Sequence, residues 1–361
     1  MLILQAVPIF ATDSDIGINA DIIYQIVGPE SNQFVIDSKT GLIKTKTLPI
    51  PSLDYESKIK YSFFINAVDK DGLGLQSSAN MTINILDEND NPPVFQFSYY
   101  STAVPESTVI GYDVLQLNAT DPDSEIFGVI SYCIISGSAG KFKIDRNSGI
   151  IRTAGNLDRE AKDLYILNIS GIDGGLNPNS AYCTVAIRII DINDNVPVFT
   201  ESGYEASVIE SAPVGSTVIL IKAVDPDQGV AGTVTYTMSS DTFGIDKFTG
   251  SVDTTQLLDR ERISLYYLTI TTSDGGGFSA NVTLIVRIQD ANDNIPVFLS
   301  PNILMVDLFE KTPNGSIVAI VMATDKDLGA NGSVEYFLDI NGANLFRIDN
   351  STGIVRLVYT L

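Results

Sequence analysis

The stretch DINDNVPVF at residues 191–199 decides how this chain is organised, because it returns as DENDNPPVF at 87–95 and as DANDNIPVF at 290–298. The copies lie 104 and 99 residues apart, which is the size of a domain and well above the 20–50 residues of a solenoid repeat. Each copy passes from acidic and amide residues into a proline, which cannot donate a backbone hydrogen bond and so marks a break between sheets. We expect Val198 and Phe199 to begin the core of the next repeat.

Three further motifs recur at the same period. Phe-x-Ile-Asp-x-x-Ser/Thr-Gly begins at Phe34, Phe142, Phe243 and Phe346. Asp-x-Asp pairs stand at Asp13/Asp15, Asp121/Asp123, Asp225/Asp227 and Asp325/Asp327. Leu-Asp-Tyr/Arg-Glu supplies Asp54/Glu56, Asp158/Glu160 and Asp259/Glu261. The 361 residues therefore predict four units of about 100 residues, two complete and central, flanked by two incomplete ones.

Within each unit the hydrophobic period is two. YSFFINAVD at 61–69, YILNISGID at 165–173 and YLTITTSD at 267–274 alternate apolar and polar residues and end on an aspartate. Such segments, separated by glycine, proline and Asn/Asp turns, predict an all-β sandwich. The glycine of each Ser/Thr-Gly is expected to adopt positive φ in a hairpin turn.

Composition excludes several functions. The net charge of −22 argues against nucleic acid or an anionic membrane surface as a partner, and the chain has no histidine for general-base catalysis or zinc binding. The chain contains no run of about 20 apolar residues, so its sequence predicts no membrane-spanning segment. MLILQAVPIF at 1–10 is read as a truncated strand, with a signal peptide as the alternative.

Sequons and cysteines bear on location. Asn-x-Ser/Thr occurs at Asn80, Asn118, Asn168, Asn281, Asn314, Asn331 and Asn350, which favours a glycosylated extracellular protein. A disulfide between Cys133 and Cys183 would suit that compartment. Strand alternation instead places Cys133 away from the apolar face and Cys183 on it, so we expect two free thiols.

The acidic repeat has the chemistry of a calcium site. Ca²⁺ takes six to eight oxygen ligands from carboxylates, amide side chains and backbone carbonyls. Asp-x-Asn-Asp-Asn offers side-chain oxygens at its first, third and fourth positions and carbonyls at its second and fifth. The second residue varies among Glu88, Ile192 and Ala291, which favours a backbone role there.

These motifs together resemble the extracellular repeats of the cadherin superfamily over essentially the whole chain. The resemblance implies tandem Greek-key seven-stranded β-sandwiches in an elongated rod, with repeats at 1–91, 92–195, 196–294 and 295–361. Classical cadherins dock through a tryptophan of their first repeat, and this chain has none. It looks more like the protocadherin, Fat and Dachsous-like members and like a fragment of a larger protein.

The resemblance also implies up to three Ca²⁺ ions at each junction between repeats, held by residues on both sides. The first set is Asp54, Glu56, Asp87, Glu88, Asn89, Asp90, Asn91, Asp121, Asp123, Phe127 and Asp173. The middle set is Glu106, Asp158, Glu160, Asp191, Ile192, Asn193, Asp194, Asn195, Asp225, Asp227, Ala231 and Asp274. The third set is Glu210, Asp259, Glu261, Asp290, Ala291, Asn292, Asp293, Asn294, Asp325, Asp327 and Asn331.

One repeat departs from the pattern. After Asp123 the second repeat reads SEIFG where the fourth reads LGANG, so Phe127 replaces the residue at Asn331 and offers only its carbonyl. We expect that ion to bind, but more weakly.

Charge supports the ligand sets. Without Glu88, which is assigned only a backbone role, they take up 22 of the 44 acidic residues, and the other 22 balance the 22 Lys and Arg. Without metal these carboxylates would repel one another, so each linker is predicted to be a hinge that Ca²⁺ stiffens.

The predicted function is calcium-dependent cell–cell adhesion by the extracellular segment of a single-pass plasma-membrane cadherin. Its partners would be the same or related cadherin ectodomains, with no nucleic acid, and it would meet the membrane only through a spanning segment absent from this chain. Two alternatives are a passive stalk and a receptor ectodomain for an unlike ligand. A glycosidase with paired carboxylates is disfavoured, because the pairs repeat at every junction and no nucleophile accompanies them.

Overall fold

The protein divides into two compact units, Met1–Ile190 and Asp191–Leu361. A computed structural model describes residues 9–46, 53–299, 304–339 and 344–359. The strand expected at 1–10 therefore lies, as far as residue 8, outside the described residues.

The first unit contains the first two repeats. The strands of the first repeat are β1 (Ile23–Val27), β2 (Phe34–Ile36), β3 (Ile43–Thr45), β4 (Lys60–Val68) and β5 (Gln76–Asn84). Short 3-10 helices lie at Gly17–Ala20, Pro29–Gln33 and Lys70–Gly72. The strands of the second repeat are β6 (Val94–Phe95), β7 (Tyr99–Pro105), β8 (Asp113–Gln116), β9 (Ala119–Thr120), β10 (Ser131–Ser136), β11 (Phe142–Ile144), β12 (Ile150–Thr153), β13 (Leu164–Ile172) and β14 (Ser180–Ile190).

The second unit repeats this order. Its third repeat has β15 (Val198–Phe199), β16 (Tyr204–Ile209), β17 (Thr217–Leu220), β18 (Ala223–Val224), β19 (Thr235–Met238), β20 (Phe243–Ile245), β21 (Ser251–Thr254), β22 (Leu265–Ser273) and β23 (Ser279–Gln289). Its fourth repeat has β24 (Val297–Phe298), β25 (Ile317–Ile320), β26 (Ala323–Thr324), β27 (Phe346–Ile348) and β28 (Ile354–Leu357).

Two sheets face each other in each central repeat, which confirms the all-β sandwich. In the second repeat a four-stranded sheet of order β10-β13-β14-β7 opposes a three-stranded sheet of order β11-β12-β8. The third repeat has the equivalent sheets β16-β23-β22-β19 and β17-β21-β20. Strands β7 and β16 run parallel to their neighbours β14 and β23, whereas the other pairs are antiparallel.

Strand alternation produces the cores. In the second repeat Leu167 and Ile169 of β13 are fully buried against Val185 and Ile187 of β14. The third repeat uses Ile270, Leu284 and Val286 at equivalent places.

The start of the third repeat differs in part from the expectation. Phe199 packs against the core of this repeat, but Val198 is 60% exposed. Val198 pairs with Val224, which is equally exposed, so both side chains stand on the outer face of the short β15–β18 ribbon. The expectation for Val198 was wrong because adjacent residues of a strand point to opposite faces.

The cysteine prediction is confirmed. Cys133 and Cys183 are both free, the first exposed and the second buried. Burial raises the pKa of the Cys183 thiol to about 11, so this side chain packs as a small apolar group.

The Ser/Thr-Gly motif forms the same turn in all four repeats. The glycines Gly41, Gly149, Gly250 and Gly353 have φ between 68° and 72°, as predicted. The aspartate before each turn accepts backbone hydrogen bonds through Oδ1, for example from Ser148 at 2.9 Å to Asp145. This capping fixes the hairpin at the end of each sandwich.

The turn predicts an acid response at Asp349. Hydrogen bonds from the Ser351 hydroxyl, the Thr352 amide, the Thr352 hydroxyl and the Ser351 amide lower the pKa of Asp349 to about 2. Its contribution to stability is complete above the unfolded pKa of about 3.9 and disappears as the pH falls through about 2. Carboxyl-carbon NMR titration should give the low pKa, and S351A with T352V should raise it. A value near 3.9 in the unaltered chain would contradict the capping role.

Candidate metal centres

The Asp-x-Asp loop has one local geometry in all four repeats. The backbone N–H of the second aspartate donates to Oδ1 of the first. The donor–acceptor distances are 2.7 Å for Asp15 to Asp13, 3.0 Å for Asp123 to Asp121, 2.9 Å for Asp227 to Asp225 and 2.9 Å for Asp327 to Asp325. The carboxylates are therefore positioned by the backbone of their own loop.

A recurring tyrosine holds the strand end that leads into this loop. Its hydroxyl accepts the N–H of an alanine two residues before the first aspartate. The pairs are Ala11 with Tyr24 at 3.0 Å, Ala119 with Tyr132 at 3.0 Å, Ala223 with Tyr236 at 2.7 Å and Ala323 with Tyr336 at 2.8 Å. The core of each repeat thus fixes the place of its acidic loop.

A glycine closes the loop by close approach. A Cβ on Gly128, Gly232 or Gly332 would stand 2.2, 1.9 or 2.1 Å from the carbonyl oxygen of the second aspartate. Real Cβ atoms do not approach so closely, so any other residue would push the loop open.

The unusual SEIFG loop carries backbone strain. Glu125 has φ 53°, where the third and fourth repeats place Gly229 at 64° and Gly329 at 62°. The left-handed region costs a residue with a Cβ about 1–2 kcal/mol. This strain is a physical reason for the weaker site expected there.

We predict that Glu125→Gly stabilises the second repeat by about 1 kcal/mol. Calorimetric unfolding of the full chain in chelator measures the effect. Glu125→Ala is the matched control, because it removes the same carboxylate but keeps the Cβ. Equal unfolding temperatures for the two variants would show that the charge of Glu125, and not its backbone conformation, destabilises the second repeat.

The first junction brings carboxylates of two repeats together. Oxygens of Glu56, Asp87 and Asp123 all lie within 4.8 Å of one another. The N–H and hydroxyl of Ser124 donate to Asp87 Oδ2 at 2.6 and 2.7 Å. Burial raises the pKa of Asp121, and the charges of Asp123, Asp173 and Asp87 add to the rise.

The amides of the first linker bind the second repeat. Asn91 donates from Nδ2 to Asp123 Oδ1 at 2.7 Å and from its N–H to Oδ2 at 3.3 Å. Asn89 Nδ2 donates to Asp173 Oδ1 at 3.0 Å. Each asparagine thus orients an aspartate of the predicted ligand set.

The third junction holds two carboxylate clusters, each within 4.8 Å. One consists of Glu210, Glu261 and Asp290, and the other of Glu261, Asp293 and Asp327. Glu210 is only 2% exposed, and its two oxygens accept the N–H groups of Arg260 at 2.6 Å and Ala291 at 2.8 Å.

The fourth repeat forms hydrogen bonds with the third linker, as the second repeat does with the first linker. Asn294 donates to Asp327 from Nδ2 at 2.7 Å and from its N–H at 3.3 Å. Asn331 Nδ2 donates to Asp290 Oδ2 at 2.9 Å, so its side chain lies at the junction, whereas the sequence predicted a role only for its carbonyl. Desolvation raises the pKa of Asp293, and the charges of Glu210, Asp327, Asp259 and Asp290 raise it further.

The middle set is divided between the two units. In the first unit Glu106, Asp158 and Glu160 lie within 4.8 Å, and buried Glu106 accepts the Arg159 N–H at 2.7 Å. In the second unit Asn195 Nδ2 donates to Asp227 Oδ1 at 2.7 Å, and the Gln228 N–H donates to Asp191 Oδ2 at 2.8 Å. Each half of the middle set has the same local contacts as the equivalent residues at another junction. That the two halves bind calcium together stays a prediction.

Several residues of the predicted ligand sets accept hydrogen bonds from their own turns or linkers. Asp54, Asp158 and Asp259 accept backbone N–H groups of their own turns through Oδ1. Asp90 and Asp194 each accept the side-chain amide of the next asparagine at 2.8 Å. The carbonyl roles assigned to Glu88, Ile192, Ala231 and Ala291 stay predictions.

Buried oxygens without partners test whether these sites fit a cation. Among the described residues, seven buried side-chain oxygens accept no hydrogen bond: Asp69 Oδ1, Asp87 Oδ1, Asp121 Oδ2, Asp173 Oδ2, Asn193 Oδ1, Asp225 Oδ2 and Asp274 Oδ2. Six of the seven belong to the predicted ligand sets. A buried polar atom left unpaired costs about 1–3 kcal/mol, and an oxygen-binding cation would remove that cost. The donor set therefore fits Ca²⁺.

The seventh atom belongs to a set that the sequence assignment omitted. Asp69 directly follows β4, as Asp173 follows β13 and Asp274 follows β22, and Asp13 and Asp15 form the loop described above. The shared motif was the signal in the sequence that pointed to these residues. They were left out because the predicted ligand sets were built around the three Asp-x-Asn-Asp-Asn linkers.

The part of the chain that the structure describes contains no helix with the length and hydropathy of a membrane-spanning segment.

A family model described as the cadherin domain matches four segments of the chain, 5–86, 100–190, 204–289 and 305–361. Protocadherin Fat 4 of Mus musculus is 37% identical over 371 residues, covering 99% of this chain but 7% of its own length. The protocadherin-like wing polarity protein stan of Drosophila melanogaster is 36% identical, with coverages of 96% and 10%. The chain thus spans a small part of the relatives it matches.

Solved structures give the same result. The protocadherin GammaB4 extracellular domain matches with a TM-score of 0.84 and 31% identity, over 98% of this chain and 58% of that one. A protocadherin gammaB7 EC3-6 cis-dimer structure matches with a TM-score of 0.85 and 29% identity, over 94% and 86%. Four family matches in tandem, on β-sandwich repeats that carry the same acidic loops, place this chain in the cadherin family, among its protocadherin and Fat-like members.

Proposed function

We propose that this chain is a calcium-stiffened extracellular segment of a cell-surface cadherin that serves calcium-dependent cell–cell adhesion. The observation that carries the proposal is the coincidence between the predicted ligand sets and the buried oxygens without partners. Cadherin repeats are adhesion domains, and we propose a binding rather than a catalytic role for this segment.

We propose repeats at 1–91, 92–195, 196–294 and 295–361, with the three ligand sets at their junctions. Seven or eight carboxylates at one junction repel one another strongly. Bound Ca²⁺ supplies the positive charge and the oxygen coordination that offset this repulsion. Asp87 and Asp290 lie in the linkers and contact residues of both neighbouring repeats, so ordering them restrains the hinge.

The same chemistry sets the expected affinity. Extracellular calcium modules bind with Kd values of roughly 10⁻⁴–10⁻³ M, close to ambient calcium outside cells. We infer that the hinges are stiff at the cell surface and loosen when calcium falls below this range.

We propose the same or a related cadherin ectodomain as partner, a view supported by the description of one solved relative as a cis-dimer. Analytical ultracentrifugation of the chain with calcium should show concentration-dependent association that chelator abolishes, and beads coated with the chain should aggregate only with calcium. A monomer at all concentrations in calcium would contradict self-adhesion by this segment. It would favour the stalk or receptor role instead.

An extracellular location predicts which sequons carry glycans. Asn331 Nδ2, the atom that a glycan would occupy, donates to Asp290 at 2.9 Å, and the residue is partly buried. Asn314 has the same Asn-Gly-Ser sequence but is exposed. Glycopeptide mass spectrometry of the chain secreted from mammalian cells should find Asn314 modified and Asn331 bare. Equal occupancy of the two would contradict a closed third junction.

A further inference from the structure

Arg260 stands among the carboxylates of the third junction. Its Nε donates to Asp290 Oδ1 at 2.6 Å, and its guanidinium also contacts the Glu261 carboxylate. A guanidinium N–H donates to the carbonyl of Lys326 in the fourth repeat at 3.2 Å. The Arg260 side chain is 13% exposed and that of Asp290 is 12% exposed, so this ion pair is largely removed from water. One residue of the third repeat therefore contacts the linker and the next repeat together.

The positive charge meets two members of one cluster. Glu261 and Asp290 form the 4.8 Å cluster with Glu210, and both are in contact with Arg260. Burial opposes the charge on Arg260, but the Asp290 hydrogen bond and the charges of Asp290, Glu261 and Glu210 outweigh it and raise its pKa. A guanidinium is planar, permanently charged and matched to carboxylate oxygens. It offsets in part the same repulsion that a divalent cation would offset.

The first junction has no arginine at this position. Tyr55 stands between Asp54 and Glu56 where Arg260 stands between Asp259 and Glu261. A tyrosine is neutral at pH 7 and lacks the forked donors of a guanidinium. The two junctions have equivalent acidic loops and equivalent linker asparagines. Comparing them therefore shows the effect of an arginine against a tyrosine at this position.

We propose that Arg260 acts as a fixed cation that holds the third linker between its two repeats when calcium is scarce, and that competes with calcium for the oxygens of Glu261 and Asp290. This inference rests on the proposed calcium role of the junctions. As calcium falls, the first junction loosens before the third. A chain with both kinds of junction has one hinge that responds sharply to calcium and one that stays partly ordered.

Arg260→Gln tests both parts of the proposal, because the two effects have opposite signs. Amide hydrogen exchange in chelator should speed up about tenfold at Ala291 and Asn294, whose N–H groups bind Glu210 and Asp327. The calcium concentration that restores protection there should fall roughly threefold to tenfold, because a positive charge no longer repels the ion. A residue that merely supported the fold would lower protection and weaken calcium binding together.

Two further variants complete the design. Arg260→Lys keeps the charge and should keep the calcium midpoint near that of the unaltered chain, while losing part of the protection in chelator. Tyr55→Arg should slow exchange at Asn91 in chelator and raise the calcium needed at the first junction. Exchange of the β22 and β23 ladder, measured in the same experiment, shows whether each variant is folded.

The outcomes separate this inference from the function it rests on. If Arg260→Gln leaves exchange in chelator unchanged, or raises the calcium requirement, the role of Arg260 is overturned while the calcium junctions stand. If neither linker of the unaltered chain responds to calcium, the proposed function fails first.

Discussion

Replacing Asp327 with alanine should abolish calcium binding at the third junction in the physiological range. Asp327 is 8% exposed and lies within 4.8 Å of the carboxylates of Glu261 and Asp293. Its two oxygens also accept both hydrogen bonds from Asn294, so the change removes a ligand and releases the linker that it holds. Loss of a buried charged partner costs about 2–5 kcal/mol, which is at least about thirtyfold in affinity.

Equilibrium dialysis of the full chain counts the ions lost, and exchange of the Asn294 amide locates the loss. Asp307→Ala is the matched control, since Asp307 is an exposed acid of the same repeat outside every ligand set. It should leave the ion count unchanged. If Asp327→Ala binds as many calcium ions as the unaltered chain and with the same affinity, Asp327 is not a calcium ligand.

Chelating calcium should raise amide exchange in the first and third linkers about a hundredfold, while the sandwich cores stay protected. The sensitive amides are those that donate to ligand-set carboxylates, Asn91 to Asp123 and Ala291 to Glu210. Without a cation these carboxylates repel one another, and the linker opens to water.

The core amides give the internal control. Ile169 and Val185 lie in the paired strands β13 and β14 and are fully buried in the core, so their amides should exchange at the same rate with and without calcium. Linker protection that persists in chelator would mean that packing and hydrogen bonds alone hold the junctions.

The sequence was sufficient for the fold because its signals are local and recur. Alternation in β13 and β22 places Leu167 and Ile270 inside, and the same rule assigned Cys133 and Cys183 to opposite faces. It failed at Val198, where two apolar residues in succession cannot both face one core.

The metal centres were partly predictable. Repetition identified the acidic loops, and the structure brings Glu56 to Asp87 and Glu210 to Asp290 across long sequence separations. Sequence did not assign a role to Arg260 or the Tyr132 hydroxyl, because their bonds to Asp290 and Ala119 depend on how the folded chain places distant residues. The strain at Glu125 follows from its backbone and is visible in sequence only by comparison with Gly229 and Gly329.

Small-angle X-ray scattering of this chain during a calcium titration measures whether calcium stiffens the hinges. We expect the maximum dimension and the stiffness of the chain to rise together as calcium approaches the millimolar range. Asp194→Ala should lose that response at the middle hinge. A chain that is equally extended and equally stiff in chelator would show that calcium does not control its hinges.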